Sequence, residues 1–251
     1  MLQIRPQQMQ AFEQAALKSF ESRMVEHIQK HFPKHFELLG EPVVRKAIQL
    51  GIDRGGVQGL ITEHDLCLFI TLMFLLGSSF DEDPQLPWAD ALLSDESIED
   101  SAERTERLWD EAIEYLDYVA GEENEYVIRA LVTLSKHPAR EAWQASQGTL
   151  EERILAQLQA VWPQKHERVG LGALRHLVHR GTEAAERYGL ADGFAVAVYV
   201  VLMFMLGSGF DTDPQFPWAA AILSDASPAG RATRADRLYD EAMAYASKWL
   251  Q

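Results

Sequence analysis

Leu72-Met73-Phe74-Leu75-Leu76-Gly77-Ser78-Ser79-Phe80-Asp81-Glu82-Asp83-Pro84-Gln85-Leu86-Pro87-Trp88 is followed, 130 positions later, by Leu202-Met203-Phe204-Met205-Leu206-Gly207-Ser208-Gly209-Phe210-Asp211-Thr212-Asp213-Pro214-Gln215-Phe216-Pro217-Trp218. From Leu72 to Tyr115 against Leu202 to Tyr245, 27 of 44 ungapped positions are identical. The same offset pairs Phe32-Pro33 with Trp162-Pro163, and Gly40, Gly51 and Gly59 with Gly170, Gly181 and Gly189. The period is far longer than a solenoid repeat. The chain therefore reads as a tandem duplication of a whole small domain: a first copy at 1–120, a linker at 121–136 and a second copy at 137–251. The linker is apolar enough, through Tyr126-Val127-Ile128-Arg129-Ala130-Leu131-Val132, to form a helix.

Each copy reads as helical, with no period-2 segment between turn signals. In the first, apolar residues three or four apart predict a helix over 7–32, ended by Pro33. A second helix spans 41–57. Thr62 is placed to cap a third, through 66–76, which is apolar nearly all round and so central. Asp83-Pro84 reads as the cap and first residue of a short helix towards Leu93, and a last helix covers 97–119. The expected fold is all-α: two copies of a four-to-five-helix domain, packed as a pseudo-two-fold dimer because tandem duplications often keep an ancestral isologous interface.

Composition excludes several classes. With 47% apolar residues, six Trp and eleven Phe, the 251-residue chain can bury a core. The single cysteine, Cys67, rules out a disulfide framework. The first residues, Met1-Leu2-Gln3-Ile4-Arg5-Pro6, carry no apolar signal region, and the longest apolar run, Phe194 to Leu206, is 13 residues against the roughly 20 a membrane span needs. The expectation is a cytoplasmic protein with no membrane partner. The net charge of −15 lies wholly in residues 1–125, with 10 basic and 25 acidic side chains; residues 126–251 hold 13 of each. Nucleic acid is disfavoured for want of a basic footprint. A basic protein partner is favoured.

An internal repeat compares a residue with its counterpart on the same scaffold. Asp81, Asp83 and Trp88 recur as Asp211, Asp213 and Trp218, which favours a structural role for all six. Asp83 would cap a helix, Asp81 would pair with Arg104 or Arg107, and the tryptophans would plug the core. What differs is acidic. Glu99, Glu103, Glu106, Asp110, Glu114 and Asp117 recur at spacings of 4, 3, 4, 4 and 3, one stripe on the last helix, where the second copy has Ala229, Thr233, Asp236, Asp240, Ala244 and Ser247. Asp90, Glu96 and Asp100 face Ala220, Ala226 and Gly230. Like charges at i,i+4 destabilise a helix by a few tenths of a kcal/mol each, so folding gives no reason to collect them. They are either a solvated face or a docking surface for a basic partner.

No catalytic signature stands out. There is no Gly-x-Ser-x-Gly and no phosphate-binding loop, and no cofactor is expected. The alternative is a metal-binding module or metal-dependent enzyme. It would use Asp81/Asp83, since paired carboxylates suit hard cations, or His27/His31, one helical turn apart. His35 follows at the next turn, beyond Pro33.

Ile4-Arg5-x-x-Gln8-Met9-x-x-Phe12, Phe20-Glu21-x-Arg23-Met24-Val25, Leu72-Met73-Phe74 and Phe80-Asp81-x-Asp83-Pro84-x-x-Pro87-Trp88-Ala89 together resemble small uncharacterised bacterial all-helical proteins encoded beside type VI secretion and other polymorphic-toxin effectors. The resemblance implies an accessory role, as chaperone, adaptor or immunity protein for a basic toxin or secreted effector. It carries no catalytic residue to transfer. Members of that group look like single copies, whereas this chain is a fused pair, for which a monomer is expected.

Overall fold

Pro33, Pro87, Pro163 and Pro217 each stand in the first turn of a helix, where a missing N–H breaks no bond. Around such starts a computed structural model describes the backbone of residues 6–136 and 139–249, and every regular element among them is helical. The first half contains α1 (Pro6–His31), α2 (Pro33–Leu39), α3 (Glu41–Val57), α4 (Glu63–Leu76), α5 (Pro87–Leu93) and α6 (Ser101–Ala120). After a 3-10 turn at Glu122–Asn124 come α7 (Glu125–Lys136) and α8 (Ala139–Ala145). The second half continues with α9 (Leu150–Val161), α10 (Pro163–Val169), α11 (Leu171–Arg187), α12 (Gly193–Leu206), α13 (Pro217–Ser224) and α14 (Pro228–Trp249). The bounds of α2, α3 and α4 recur in α10, α11 and α12 at the offset of 130.

The central helices are α4 and α12. The Thr62 hydroxyl accepts from the Asp65 N–H at 3.1 Å and starts α4; the Asp192 carboxylate starts α12 by accepting from Ala195 N–H at 3.0 Å. Eight residues of α4 and eleven of α12 are buried. Each packs against the preceding long helix and the last helix of its half.

Three local expectations are corrected. Pro33 ends α1 as expected, but it also starts α2, a helix not expected from the sequence. Asp83 starts no helix: it closes the 3-10 turn Phe80–Glu82, and α5 begins four residues later, at Pro87, after Leu86. The last helix of the first half starts at Ser101 rather than 97, with the Asp100 carboxylate accepting from Ala102 N–H at 3.0 Å as its N-cap. Glu99 therefore lies outside the helix. The second half also breaks where the first does not. Opposite the middle of α1, Gly148 takes φ 110°, and Thr149 and Glu152 form a capping box that begins α9 anew.

The two halves touch through the stretches quoted at the start. Ser78 N–H and Oγ donate to the Asp213 carboxylate at 2.8 and 2.7 Å, and Ser208 N–H donates to Asp83 Oδ2 at 2.7 Å. Gln85 Nε2 donates to the Met203 carbonyl at 3.0 Å, and Gln215 Nε2 to the Met73 carbonyl at 2.9 Å. The carboxylates thus satisfy N–H groups just past the end of the opposite central helix, and the amides give its Met73 or Met203 carbonyl a second donor beside Gly77 or Gly207 N–H. Gly77 and Gly207 both sit at φ 100°, back to back; a Cβ on Gly77 would lie 2.9 Å from the Leu206 carbonyl oxygen. That conformation and that proximity both require glycine.

Candidate functional site

Two regions compete: the acidic face of α6 and its surroundings, and a cavity where the halves meet.

All nine carboxylates of the acidic set, Asp90, Glu96, Glu99, Asp100, Glu103, Glu106, Asp110, Glu114 and Asp117, are exposed. Five of them, Glu103, Glu106, Asp110, Glu114 and Asp117, share one stripe of α6, while Thr105, Leu108, Ala112, Tyr115 and Val119 of the same helix are buried. Two are partly neutralised from within. Glu103 pairs with Arg107 at 2.5 Å, and Glu114 lies 3.4 Å from Arg168 of α10, which also reaches Glu111 at 3.2 Å. Among the described residues the other seven have no ion-pair partner. In the second half, Asp236, the counterpart of Glu106, is paired with Arg140 at 3.0 Å.

The repeated aspartates are engaged internally. Asp81 accepts from Arg54 at 2.6 Å and from Gln58 at 3.3 Å, which corrects the expected pairing with Arg104 or Arg107. Arg104 instead donates to the Leu93 and Ile98 carbonyls at 3.1 and 2.9 Å. Asp211 accepts from Tyr188 at 2.8 Å and Tyr199 at 2.9 Å; burial, followed by the hydrogen bond and charge of Asp211, pushes both phenols up, Tyr188 to about 12. Asp213 is pushed up by burial, against the donors from Ser78 and Gln215 that favour its charged form. Trp88 and Trp218 are half-buried; their rings lie 6.2 and 6.3 Å from those of Tyr115 and Tyr245.

The metal alternative gains no geometry. Asp81 and Asp83 already accept N–H donors, and no group of three or more His, Cys, Asp or Glu among the described residues could hold an ion. His27 and His31 stack at 4.6 Å, and His27 Nε2 lies 3.3 Å from the Thr71 hydroxyl. His35 has turned away from them into the protein. Its ring packs edge-on against Trp249 at 4.4 Å and Phe74 at 6.2 Å and is hydrogen-bonded to the Phe74 backbone. Burial lowers it to about 4, so it is neutral at pH 7. Burial raises the half-buried Cys67 thiol, which makes it a poor nucleophile.

The cavity encloses about 510 Å³ between the ends of α4 and α12, the inner faces of α6 and α14, and α7. Its walls are mostly apolar: Leu76, Leu116, Val127, Leu131, Met205 and Leu206 among others. Polar side chains also line it, among them Asp83, Glu123 and Gln215, and four bear on what it could hold. Lys165 of α10 is buried, and its Nζ donates to the Phe204 carbonyl at 2.5 Å. Burial lowers the ammonium to about 8, while the Asp83 charge opposes that shift. Tyr115 is 4% exposed and its hydroxyl has no hydrogen-bond partner among the described residues. Gln85 is 2% exposed; its Nε2 is fixed by the Met203 carbonyl, which leaves Oε1 buried and unpartnered. His35 stands at the other end, in the position equivalent to Lys165.

Sequence reasoning missed this cavity and the role of Lys165. Lys165 lies in Pro163-Gln164-Lys165-His166-Glu167-Arg168, which reads as a solvated turn of helix. The available signal was positional: it replaces His35 after an equivalent aromatic-proline pair.

No protein-family model matches this chain. No curated protein and no solved structure matches it either.

Proposed function

We propose that this chain is a non-enzymatic partner-binding protein, built as two fused copies of one helical domain about a pseudo-two-fold axis, which docks a basic protein through the acidic face of its first half. The observation that carries the reading is the divergence of α6 from α14. Both helices pack against their own central helix in the same way, yet only α6 and its flanks bear nine exposed carboxylates. Seven of these make no ion pair among the described residues. The reciprocal bonds of Ser78 with Asp213 and Ser208 with Asp83 support the pseudo-dimer: in an isologous interface, residue i meets j and j meets i. The chain is then a cytoplasmic monomer whose second half stands where a second subunit would.

The resemblance of its motifs to proteins encoded beside type VI secretion effectors supports a secreted toxin or effector as the partner, with this chain as its immunity protein, chaperone or adaptor. Complementary charge speeds encounter and excludes acidic competitors. The test is a pull-down from the native host with the wild type and with Glu99, Glu103, Glu106 and Glu114 all changed to Ala. The expected result is a basic protein captured by the wild type, weakened at least tenfold in the variant and released at high ionic strength, while circular dichroism shows the helices retained. Equal capture by both proteins overturns the acidic-docking reading.

A further inference from the structure

The cavity between the halves has a chemical bias that the acidic surface does not share. Lys165 places an ammonium in it, and no carboxylate among the described residues lies within ion-pair distance of that nitrogen. Asp83, which also lines the cavity, has its oxygens taken by Ser208 N–H, Gln85 N–H and Gln85 Nε2 at 2.7, 2.9 and 3.2 Å. A buried ammonium needs a counter-charge and further acceptors, or its burial is costly. Among the described residues it makes one direct hydrogen bond, to the Phe204 carbonyl, and lies 5.1 Å from the Trp162 and Phe204 ring centres, which leaves N–H groups free for an acceptor. The Tyr115 hydroxyl is a second unspent donor, and Gln85 Oε1 an unspent acceptor, both in residues more than nine-tenths buried. The bias is one-sided, because the position equivalent to Lys165 holds the neutral His35.

We propose that this cavity is a binding site for a small amphiphilic carboxylic acid, its head group held by Lys165 and Tyr115 and its apolar body lying along Leu76, Leu116, Leu131 and Leu206. The carboxylate supplies the direct ion-pair contact that Asp83, acting from further off, does not make, and two oxygens able to accept from the ammonium and the phenol. Gln85 Oε1 accepts from a head-group hydroxyl or from a water held beside it. The size agrees. About 510 Å³ lies within the range of small-molecule sites. At ~30 Å³ per water-sized group it has room for about 17 such groups, more than a ten-carbon acid needs. The unbranched, adaptable Met205 and Met243 in the wall suit a flexible chain rather than one rigid shape.

Three probes of one length separate the contributions: decanoate, decanol and decylamine, each titrated into the full chain by isothermal calorimetry. Trp162 and Trp249 line the cavity and give a second, fluorescent readout. Decanoate is expected to bind one per chain, at least tenfold more tightly than decanol, with decylamine weakest. Lys165→Met should lower decanoate affinity at least tenfold and leave decanol unchanged. Tyr115→Phe removes only a hydroxyl, keeps the packing and should weaken decanoate severalfold, so the test survives if Lys165→Met fails to fold. Leu131→Trp, which fills the cavity, should abolish binding of all three. Decanol binding as well as decanoate, or decanoate affinity unmoved by both head-group variants, overturns the acid-binding assignment; no binding by any probe overturns the site itself. None of these results depends on the acidic face of α6.

Discussion

Asp81 and Asp211 occupy equivalent places in the two halves and are held by opposite means. Asp81 is met by a guanidinium, Arg54 at 2.6 Å; Asp211 is met by two phenols, Tyr188 and Tyr199, at 2.8 and 2.9 Å. The positions of Arg54 and Gln58 correspond to Ala184 and Tyr188 in the second half, and Phe69 to Tyr199. The same substitution of means recurs at the ends of the central helices, where His35 serves the Phe74 backbone and Lys165 the Phe204 carbonyl. What the fold requires at these points is a donor to a buried acceptor. Whether that donor is charged is free to vary, and the variation moves charge around the molecule without moving the backbone.

The sharpest way to break the equivalence is at its hinge. Gly77→Ala puts a Cβ 2.9 Å from the Leu206 carbonyl in a backbone conformation reserved for glycine, and should destabilise by about 3 kcal/mol or more. Urea unfolding measures it. Gly207→Ala meets the Leu76 carbonyl at 3.1 Å and should cost nearly as much. A loss in one half only would show that the two central helix ends do not depend on each other.

Acid should next distinguish the halves. His35 is held at about 4, below its ordinary value near 6.5, so the native state binds fewer protons than the unfolded chain between those values. Its contribution is fully present above pH 6.5 and is lost as pH falls towards 4, by up to about 3 kcal/mol. His35→Gln should flatten that window relative to the wild type in thermal melts at stepped pH. At Lys165 the sign is the same and the window lies higher. Its ammonium titrates near 8 in the fold and near 10.5 when unfolded, so stability should rise between those values, and Lys165→Met should remove the rise.

A smaller effect sharpens the comparison of the aspartates. Asp81→Asn leaves Arg54, about one-fifth exposed, facing an amide and should cost about 2 kcal/mol. Asp211→Asn still offers the two phenols a carbonyl oxygen, and should cost about 1 kcal/mol. Equal losses would mean that the charge on Arg54 plays no part.

The parts of this fold legible in the sequence are those that depend on neighbours along the chain. The 41–57 helix, the Thr62 cap and the all-helical class follow from periodicity, proline and capping residues, and all stand in the structure. Asp83-Pro84 looked like a helix start for good local reasons. It failed because Asp83 is claimed by Ser208, 125 residues away, and no local pattern carries such a partner. The break in the second half was written in Ser146-Gln147-Gly148-Thr149 and was masked by alignment to the unbroken α1. The acidic residues could be recognised because charge on a helix face is periodic. The cavity could not, because it is the space left between α6, α7, α10 and α14, and a lysine inside it carries the same letter as one in solvent.

The connector from Glu122 to Lys136 has a consequence for how the halves can change. It tucks Glu123 and Asn124 into left-handed conformations, φ 50° and 63°, and then runs α7 along the seam. A short tether of this kind holds its ends at an effective concentration in the millimolar range, so the seam need not be strong enough to find its mate from dilution. It also favours the meeting of the first half with the second over a meeting of two first halves. A subunit in a symmetric pair must tolerate each substitution twice, facing itself. Here one side can keep a histidine while the other takes a lysine, and a surface can turn acidic without repelling its own copy.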